Sequence, residues 1–556
     1  MNQENNVGNQ ITYNSTKSMY NKYLSSINGS QRDNSGRLEK PEVFRDGFSI
    51  YNIKRKTVSP GSLSKWDMAN CGGIPLDGDR TNNTVFLDGS DAHTILIGAT
   101  GSKKSRLVVM PSVYTLSASG EAMIVCDPKG EVYKRSWKYL TENNYKVSTV
   151  NFREPDKSDG WNMLDIPFSL YKNGNIDEAC ELINDATINL IPVYSKDPYW
   201  DYSARDMLFG LILLLFKIGA IKGMSNDEIN MKAVLQLRHE LFMSSDTDRV
   251  SATYIWQLAK QDYLIRTRLQ GIIVCPEKTM SCIISTFDQH MSCFSLQPQV
   301  VNMLSKSTFN LDKIGFEKEA VFLIMPDEKT TYHKIIAAFI KQMYEILILS
   351  AYKNTSSGKF PIRINFLLDE FSTLPKISDM PQMISASRSR NIRFVLVVQS
   401  KHQLVQRYSE EADTIMSNCT NWIILPTREI NLLNDISNLA GTVGRDREPL
   451  VSVARIQHMN KEVGECLVLS GRKNPYFAFL PDVDEYDNGG DVGDVPCYKE
   501  QISGIELPSD YFENWSRNIM YGESSNNSTQ KSEVNDIQTE LKKQLDELFG
   551  TDSTEE

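Results

Sequence analysis

Two short stretches of this 556-residue chain carry the residue types that handle a triphosphate. Thr94-Ile95-Leu96-Ile97 reads as a strand and runs directly into Gly98-Ala99-Thr100-Gly101-Ser102-Lys103-Lys104-Ser105. Glycine, four residues, then Gly-Lys-Ser/Thr is the spacing of a phosphate-binding loop. Its backbone N–H groups cradle the phosphates, its lysine reaches the β and γ oxygens, and its hydroxyl holds Mg²⁺. A helix opening at the next residues would turn its positive end towards the same anion. Lys104 and Ser105 fill the last two positions, but Lys103 stands where the second glycine belongs. Far downstream, Arg363-Ile364-Asn365-Phe366-Leu367-Leu368 reads as a buried strand ending in Asp369-Glu370. An apolar strand that delivers two acids at its carboxyl edge is the Walker B arrangement. Asp369 would join the Mg²⁺ shell, and Glu370 would orient and activate the attacking water. Each stretch has a plainer reading, a glycine-rich turn and a solvated acidic turn. Their presence in one chain favours ATP and Mg²⁺.

The elements needed to position them are legible as apolar runs that end in polar residues. Ile95–Ile97, Ala122–Cys126, Val321–Met325, Phe366–Leu368, Phe394–Val398, Trp422–Leu425 and Leu467–Leu469 recur, mostly separated by helix-compatible stretches. Short strands apolar on both sides, alternating with helices, give an α/β fold with a mostly parallel sheet covered on both faces. Ligands of such sheets bind beyond the carboxyl ends of the strands, where both stretches fall. Between about 170 and 310 the alternation stops. Ile176–Ile191, Tyr202–Ile218, Asp227–Leu241 and Ser251–Ile272 have helical spacing, which predicts an inserted all-α domain. The expected organisation is therefore a disordered segment (1–45), the first half of a nucleotide-binding domain (46–170), the insert (171–310) and the second half (311–487). An acidic, mostly disordered tail (488–556) follows. Within it, Val534–Phe549 has helical spacing and reads either as a frayed end or as a helix that docks a partner.

Composition excludes several classes. Forty per cent hydrophobic and 23% charged residues suit a globular protein, and a net charge of −10 excludes a generally basic nucleic-acid coat. Local basic clusters at Lys54-Arg55-Lys56, Lys134-Arg135…Lys138 and Arg388…Arg393 remain compatible with DNA contact or with solvated faces. The nine cysteines show no metal-ligand spacing; Cys126 and Cys466 sit in strand-like runs and read as small core residues. The six histidines read as structural or surface groups. The longest apolar run, Met207–Phe216, has ten residues, about half of what spans a bilayer, and predicts a buried helix.

Further strings occur in a fixed order: Asp127-Pro128-Lys129-Gly130-Glu131, Trp161-Asn162, Asp197-Pro198-Tyr199-Trp200, Asp369-Glu370-Phe371, Ser387-Arg388-Ser389-Arg390-Asn391-Ile392, Val398-Gln399-Ser400 and Asn418-Cys419. From about 76 to 487 the chain resembles the TraG/VirD-type coupling proteins of conjugative type IV secretion systems, relatives of FtsK-like DNA pumps. The resemblance implies a RecA-like P-loop NTPase domain bearing an all-α domain. It further implies a ring of six around translocated DNA, coupling relaxase-bound DNA or another secreted substrate to the secretion channel. Carried over by motif, Gln399 senses the γ-phosphate. Arg388, or alternatively Arg390, reaches into a neighbour's nucleotide. Asp127, Lys129 and Glu131 belong to a loop that serves nucleotide or interface contacts, or is a structural turn. The family usually begins with membrane-spanning helices and none is visible here, so a separate membrane-anchor protein and a peripheral place at the cytoplasmic face of the membrane are expected. Lys103 would crowd the β-phosphate, force a strained turn, or add a second ammonium. With Lys104, Ser105, Asp369, Glu370 and Gln399 present, the expectation is an ATPase that works, though slowly. A nucleotide-gated receptor without turnover, and a cytoplasmic FtsK/HerA-like duplex pump, are the alternatives.

Overall fold

The computed structural model describes residues 37–61, 71–193, 196–242, 249–326, 328–443, 447–471, 473–486, 502, 505 and 507–521. The first four strands are short, β1 (Ser49–Asn52), β2 (Thr57–Ser59), β3 (Ile74–Asp79) and β4 (Thr84–Asp88). They form an antiparallel sheet in the order β2-β1-β4-β3.

The main sheet follows. Its strands are β5 (His93–Ile97), β6 (Ala122–Asp127), β7 (Lys146–Asn151), β8 (Glu319–Ile324), β9 (Ile364–Leu368), β10 (Ile392–Val398) and β11 (Cys419–Ile424). After a two-residue hairpin, β12 (Thr442–Val443) with β13 (Glu448–Pro449), come β14 (Glu465–Ser470) and β15 (Tyr476–Phe479). The nine strands run in the order β15-β14-β11-β5-β10-β9-β6-β8-β7. From β7 to β11 every pairing is parallel; β14 and β15 are antiparallel at one edge. Each apolar run singled out in the sequence falls on one of these strands, with Met325 and Leu425 one residue past the ends of β8 and β11.

Alternation of side chains divides the sheet between two cores. Ile95, Ile97, Ile124, Cys126, Phe366, Leu368, Phe394 and Leu396 face one. Leu96, Met123, Val125, Leu367, Val395, Val397 and Cys466 face the other. The second core is closed by helices Met110–Ser119 and Glu131–Glu142 and by the small sheet. The first is closed by His333–Asn354 and by the helices between β7 and β8. His333–Asn354 is long and apolar enough to cross a membrane, yet 78% of its most apolar window is buried inside the fold.

Between β7 and β8 the chain makes eight α-helices among the described residues, from Asp165–Lys172 to Pro298–Met303. Met207–Phe216 is buried within Pro198–Lys222, as its apolar run predicts. The stretch with helical spacing at Ser251–Ile272 is two helices, Arg249–Gln261 and Tyr263–Ile273. Asp262 separates them by accepting from the N–H groups of Leu264 and Ile265, an N-cap that starts the second helix. The chain leaves for these helices and returns through one neck. Trp161 N–H donates to Met303 O at 2.9 Å, and Thr308 N–H to Gly160 O at 3.1 Å. A Cβ on Gly160 would overlap the Lys306 carbonyl oxygen, so only glycine fits the crossing.

Two expectations of disorder are corrected. Residues 37–45, read as the end of a disordered segment, include a short helix, Pro41–Arg45. Its Phe44 is fully buried and stacks on Tyr476 with ring centroids 4.2 Å apart. In the tail read as mostly disordered, Tyr511–Tyr521 is a helix docked on the helical region. There Phe512 is fully buried, Trp515 meets Tyr254 edge to face, and the Lys222 ammonium lies 3.6 Å from the Tyr511 ring centroid. The amphipathic stretch Val534–Phe549 lies outside the described residues.

Candidate phosphate-binding site

The loop Gly98–Ser105 leaves β5 and is tied to both neighbouring strands. Gly98 N–H donates to Val398 O, and Ala99 N–H to Pro426 O, each at 3.2 Å. A Cβ on Gly98 would lie 2.5 Å from Ser102 Oγ and 2.9 Å from Leu425 Cβ, so the loop closes this tightly only around glycine. Lys103 has φ +67°, the left-handed conformation that a glycine ordinarily supplies. For an L-residue that conformation costs ~1–2 kcal/mol. The strained turn expected for this lysine is thus present. Its ammonium turns outward to Glu462 Oε2 at 2.8 Å.

Ser105–Val109 forms a wide π-turn before the helix Met110–Ser119 begins. Pro111 offers no N–H to the turn before it, which removes one regular helical bond and favours the wider winding.

Lys104 is buried, with Nζ donating to Gly98 O at 2.8 Å and Ala99 O at 3.2 Å. Burial pulls its pKa down, and the charges of Asp369 and Glu370 oppose that pull. Ser105 Oγ donates to Asp369 Oδ2 at 2.6 Å. Asp369 is buried at the end of β9; burial raises its pKa against the Ser105 hydrogen bond and the Lys104 charge. Glu370 follows in the left-handed region, φ +53°, which swings its side chain towards β10. There Gln399 Nε2 donates to Glu370 Oε1 at 3.3 Å, and Thr100 Oγ1 donates to Gln399 Oε1 at 3.2 Å. Lys104, Ser105, Asp369, Glu370 and Gln399, five positions drawn from three regions of the sequence, therefore meet at one sheet edge.

Asp127 ends β6, the other neighbour of β9, and its burial pushes its pKa up to about 7. Its carboxylate accepts from Tyr133 N–H at 2.9 Å, and Gly130 at φ +71° turns the chain into Glu131–Glu142. For Asp127 the structural-turn reading is the one the contacts favour, while Lys129 lies close enough to depress the pKa of Lys104.

Arg388 and Arg390 are not brought to this site. Both precede β10 at the opposite edge of the sheet, about 20 Å of strand away. Arg388 Nη2 donates to Asp91 Oδ1 at 2.7 Å, and Arg390 Nη1 to Ala386 O at 2.9 Å, both exposed. The basic cluster running to Arg393 is not one surface: Arg393 is buried against Glu121, at 3.1 Å. His93 is buried too, accepting from Phe394 N–H on Nδ1 at 3.0 Å and facing Ile384 O with Nε2 at 2.9 Å.

Three features near the site were not read from the sequence. One is Glu462, whose separation of 359 residues from Lys103 leaves no local signal. Another is Thr373, which bonds the Glu370 carbonyl through both its N–H and its hydroxyl at 2.8 Å. The third is a cleft of about 740 Å³ beside Thr373, lined also by Trp200, His290, Lys334 and Arg407. It joins the helical region to the segments that follow Glu370 and Gln399.

Residues 52–457 match the family described as Type IV secretory system Conjugative DNA transfer. Conjugal transfer protein TraG of Escherichia coli is 23% identical over 398 residues, 68% of this chain and 59% of that protein. The type IV secretion system-coupling protein VirD4 of Bartonella quintana (strain Toulouse) is 22% identical over 417 residues, 72% of this chain and 59% of that protein. The chain thus spans about three fifths of the length of these relatives. Among solved structures, the bacterial conjugative coupling protein TrwBdeltaN70 superposes with a TM-score of 0.52 at 16% identity, covering 72% of this chain and 87% of that one. Plasmid coupling protein TrwB in complex with ADP and Mg²⁺ gives 0.51 at 17% identity, covering 70% and 85%.

Proposed function

The chain belongs to the type IV secretory system conjugative DNA transfer family, and from that premise we propose that it is an ATP-driven coupling protein. It recruits DNA, or a relaxase–DNA complex, and moves it towards a type IV secretion channel. One observation carries the catalytic part of this reading. Ser105 and Asp369, 264 residues apart, are in hydrogen-bond contact at 2.6 Å beside a buried lysine.

The residues suit their proposed ligands. Among the described residues, Ser102 Oγ is buried without a hydrogen-bond partner, and Lys104 Nζ has two backbone carbonyls as hydrogen-bond partners, both exchangeable for phosphate oxygens. Ser105 and Asp369 supply hard oxygen donors. No cluster of three or more His, Cys, Asp or Glu among the described residues could hold a metal instead. Two protein oxygens, completed by phosphate and water, are what Mg²⁺ ordinarily takes. Ser105 and Asp369 would hold the ion, which would supply positive charge to offset the negative charge that develops on phosphoryl transfer. Glu370 accepts a proton of the attacking water as general base, and Gln399 holds that carboxylate while its carbonyl faces the loop. TrwB's complex with ADP and Mg²⁺ supports the same pair of ligands for this chain.

Arg388 lies too far from its own loop to act there, which supports the idea that it serves a neighbour across a closed homo-hexameric ring. The segments after Glu370 and Gln399 line the cleft with Lys334 and Arg407, giving hydrolysis a short route to cations that can track DNA phosphates without reading sequence. The secretion channel, a relaxase or other cargo, and a separate membrane-anchor protein complete the proposed set of partners at the cytoplasmic face of the membrane.

The test is Mg²⁺-dependent ATP hydrolysis by the purified chain with and without DNA. DNA is expected to raise the rate, Glu370→Gln to abolish turnover while keeping nucleotide binding, and Lys104→Ala to lose both. Wild-type turnover no higher than that of Glu370→Gln would sink the motor and leave a nucleotide-gated receptor.

A further inference from the structure

The two cations flanking Lys104 and Ser105 are held from outside by one structural unit. The turn Lys461–Val463 leads into β14, and the turn Val483–Tyr486 follows β15, so both flanks of a single antiparallel hairpin reach the phosphate loop. Glu462 takes the Lys103 ammonium at 2.8 Å, while Asp482 and Asp484 take the Arg106 guanidinium. The Glu462 turn is itself built. Glu462 N–H donates to the Asn460 side chain at 3.0 Å, and Asn460 N–H to the buried Glu465 carboxylate at 2.7 Å. Gly464, at φ +70°, closes the turn where a Cβ would overlap the Leu480 carbonyl oxygen. The Lys103 hydrogen bond holds the Glu462 carboxyl below its usual range.

We propose that Glu462 is a positioning residue of the nucleotide site, which holds the Lys103 ammonium off the phosphates and so lets a loop with lysine in a glycine position release its nucleotide. The proposal rests on the ATP-binding reading above. Lys103 lies next to Lys104, and with nucleotide bound in the proposed site its long side chain would have two anions to choose between, the Glu462 carboxylate and a phosphate. Two adjacent ammonium groups on one polyphosphate would hold ADP and ATP alike. Such uniform binding lowers KM and slows product release without helping the chemical step. A carboxylate partner removes the second ammonium from that contest. Lys103 is about a quarter exposed and Glu462 about half, so water screens the pair, and it restrains the lysine without trapping it.

The experiment is calorimetric titration of Mg-ADP into wild type, Glu462→Gln, Lys103→Gly and the double variant, with steady-state ATP hydrolysis on the same proteins. Glu462→Gln is expected to bind Mg-ADP about three- to tenfold tighter, with kcat and KM falling together. In the Lys103→Gly background the same substitution should change affinity by less than about 1.5-fold, because no lysine is left to release. An equal shift in both backgrounds would mean that Glu462 acts through its own charge, and no shift in either would mean that it does not act on the site; either result overturns the proposal. Failure of wild type to bind Mg-ADP at all would instead overturn the ATP-binding reading, and this proposal with it.

Discussion

Gln399 links the two halves of the candidate phosphate site, donating to Glu370 Oε1 at 3.3 Å while its carbonyl accepts from the Thr100 hydroxyl at 3.2 Å. Because β10 lies between β5 and β9, its carboxyl end is the place from which one side chain can touch both the loop and the acid. Gln399→Ala is expected to lower kcat about 10- to 100-fold with KM changed less than about threefold, since it removes orientation of the base rather than grip on the nucleotide. Steady-state ATP hydrolysis checks this. A large rise in KM with kcat intact would assign Gln399 to binding.

Arg388 and Glu370 stand at opposite edges of the same sheet, so the proposed role of Arg388 at a nucleotide would need a second subunit. Arg388→Ala and Glu370→Gln are each expected to be inactive alone. Mixed and reassembled, they should recover up to about a quarter of wild-type activity, because random neighbours pair an intact acid with an intact arginine that often. No recovery in mixed assemblies would leave Arg388 as the partner of Asp91 and nothing more.

His93 gives the fold an acid limit. Buried between Phe394 N–H and Ile384 O, it is held neutral, and burial lowers its pKa from 6.5 to about 4. The unfolded chain binds this proton first, so stability is full above about pH 6.5 and falls as pH drops towards 4, by at most about 3 kcal/mol. Urea unfolding between pH 4 and 7 measures the slope. His93→Gln should flatten it over that window.

Phe512 anchors the helix Tyr511–Tyr521 to the helical region and is fully buried. Phe512→Ala is expected to cost about 3 kcal/mol of local stability. Hydrogen exchange should report the loss in Arg249–Gln261, which packs on this helix, before it appears in the sheet. Uniform loss across both would mean that the two regions unfold as one.

The loop, the acid pair and the parallel strands were legible because each is a local pattern: fixed spacing for the loop, and a short apolar run for each strand. The direction of β14 was not, since an apolar run carries no sign of which way it pairs. The small sheet was missed because β1 to β4 have three to six residues each, too few for periodicity to emerge from glycine and aspartate. The helix Tyr511–Tyr521 did carry a signal, with Tyr511, Phe512, Trp515 and Ile519 at helical spacing, hidden by the polar composition around it. The ion pair between Lys103 and Glu462 had none, because only the fold brings an edge hairpin beside the loop.

The neck at Gly160 and Trp161 has a mechanical implication. The chain enters and leaves the helical region by two crossings so close that a methyl group would wedge them apart. If the proposed motor operates, force generated at the sheet would reach those helices through this joint or through the packing of His333–Asn354 against Ile176–Leu190. A bulky residue at Gly160 would therefore act like a bent axle, leaving the engine able to burn fuel while the load stays still.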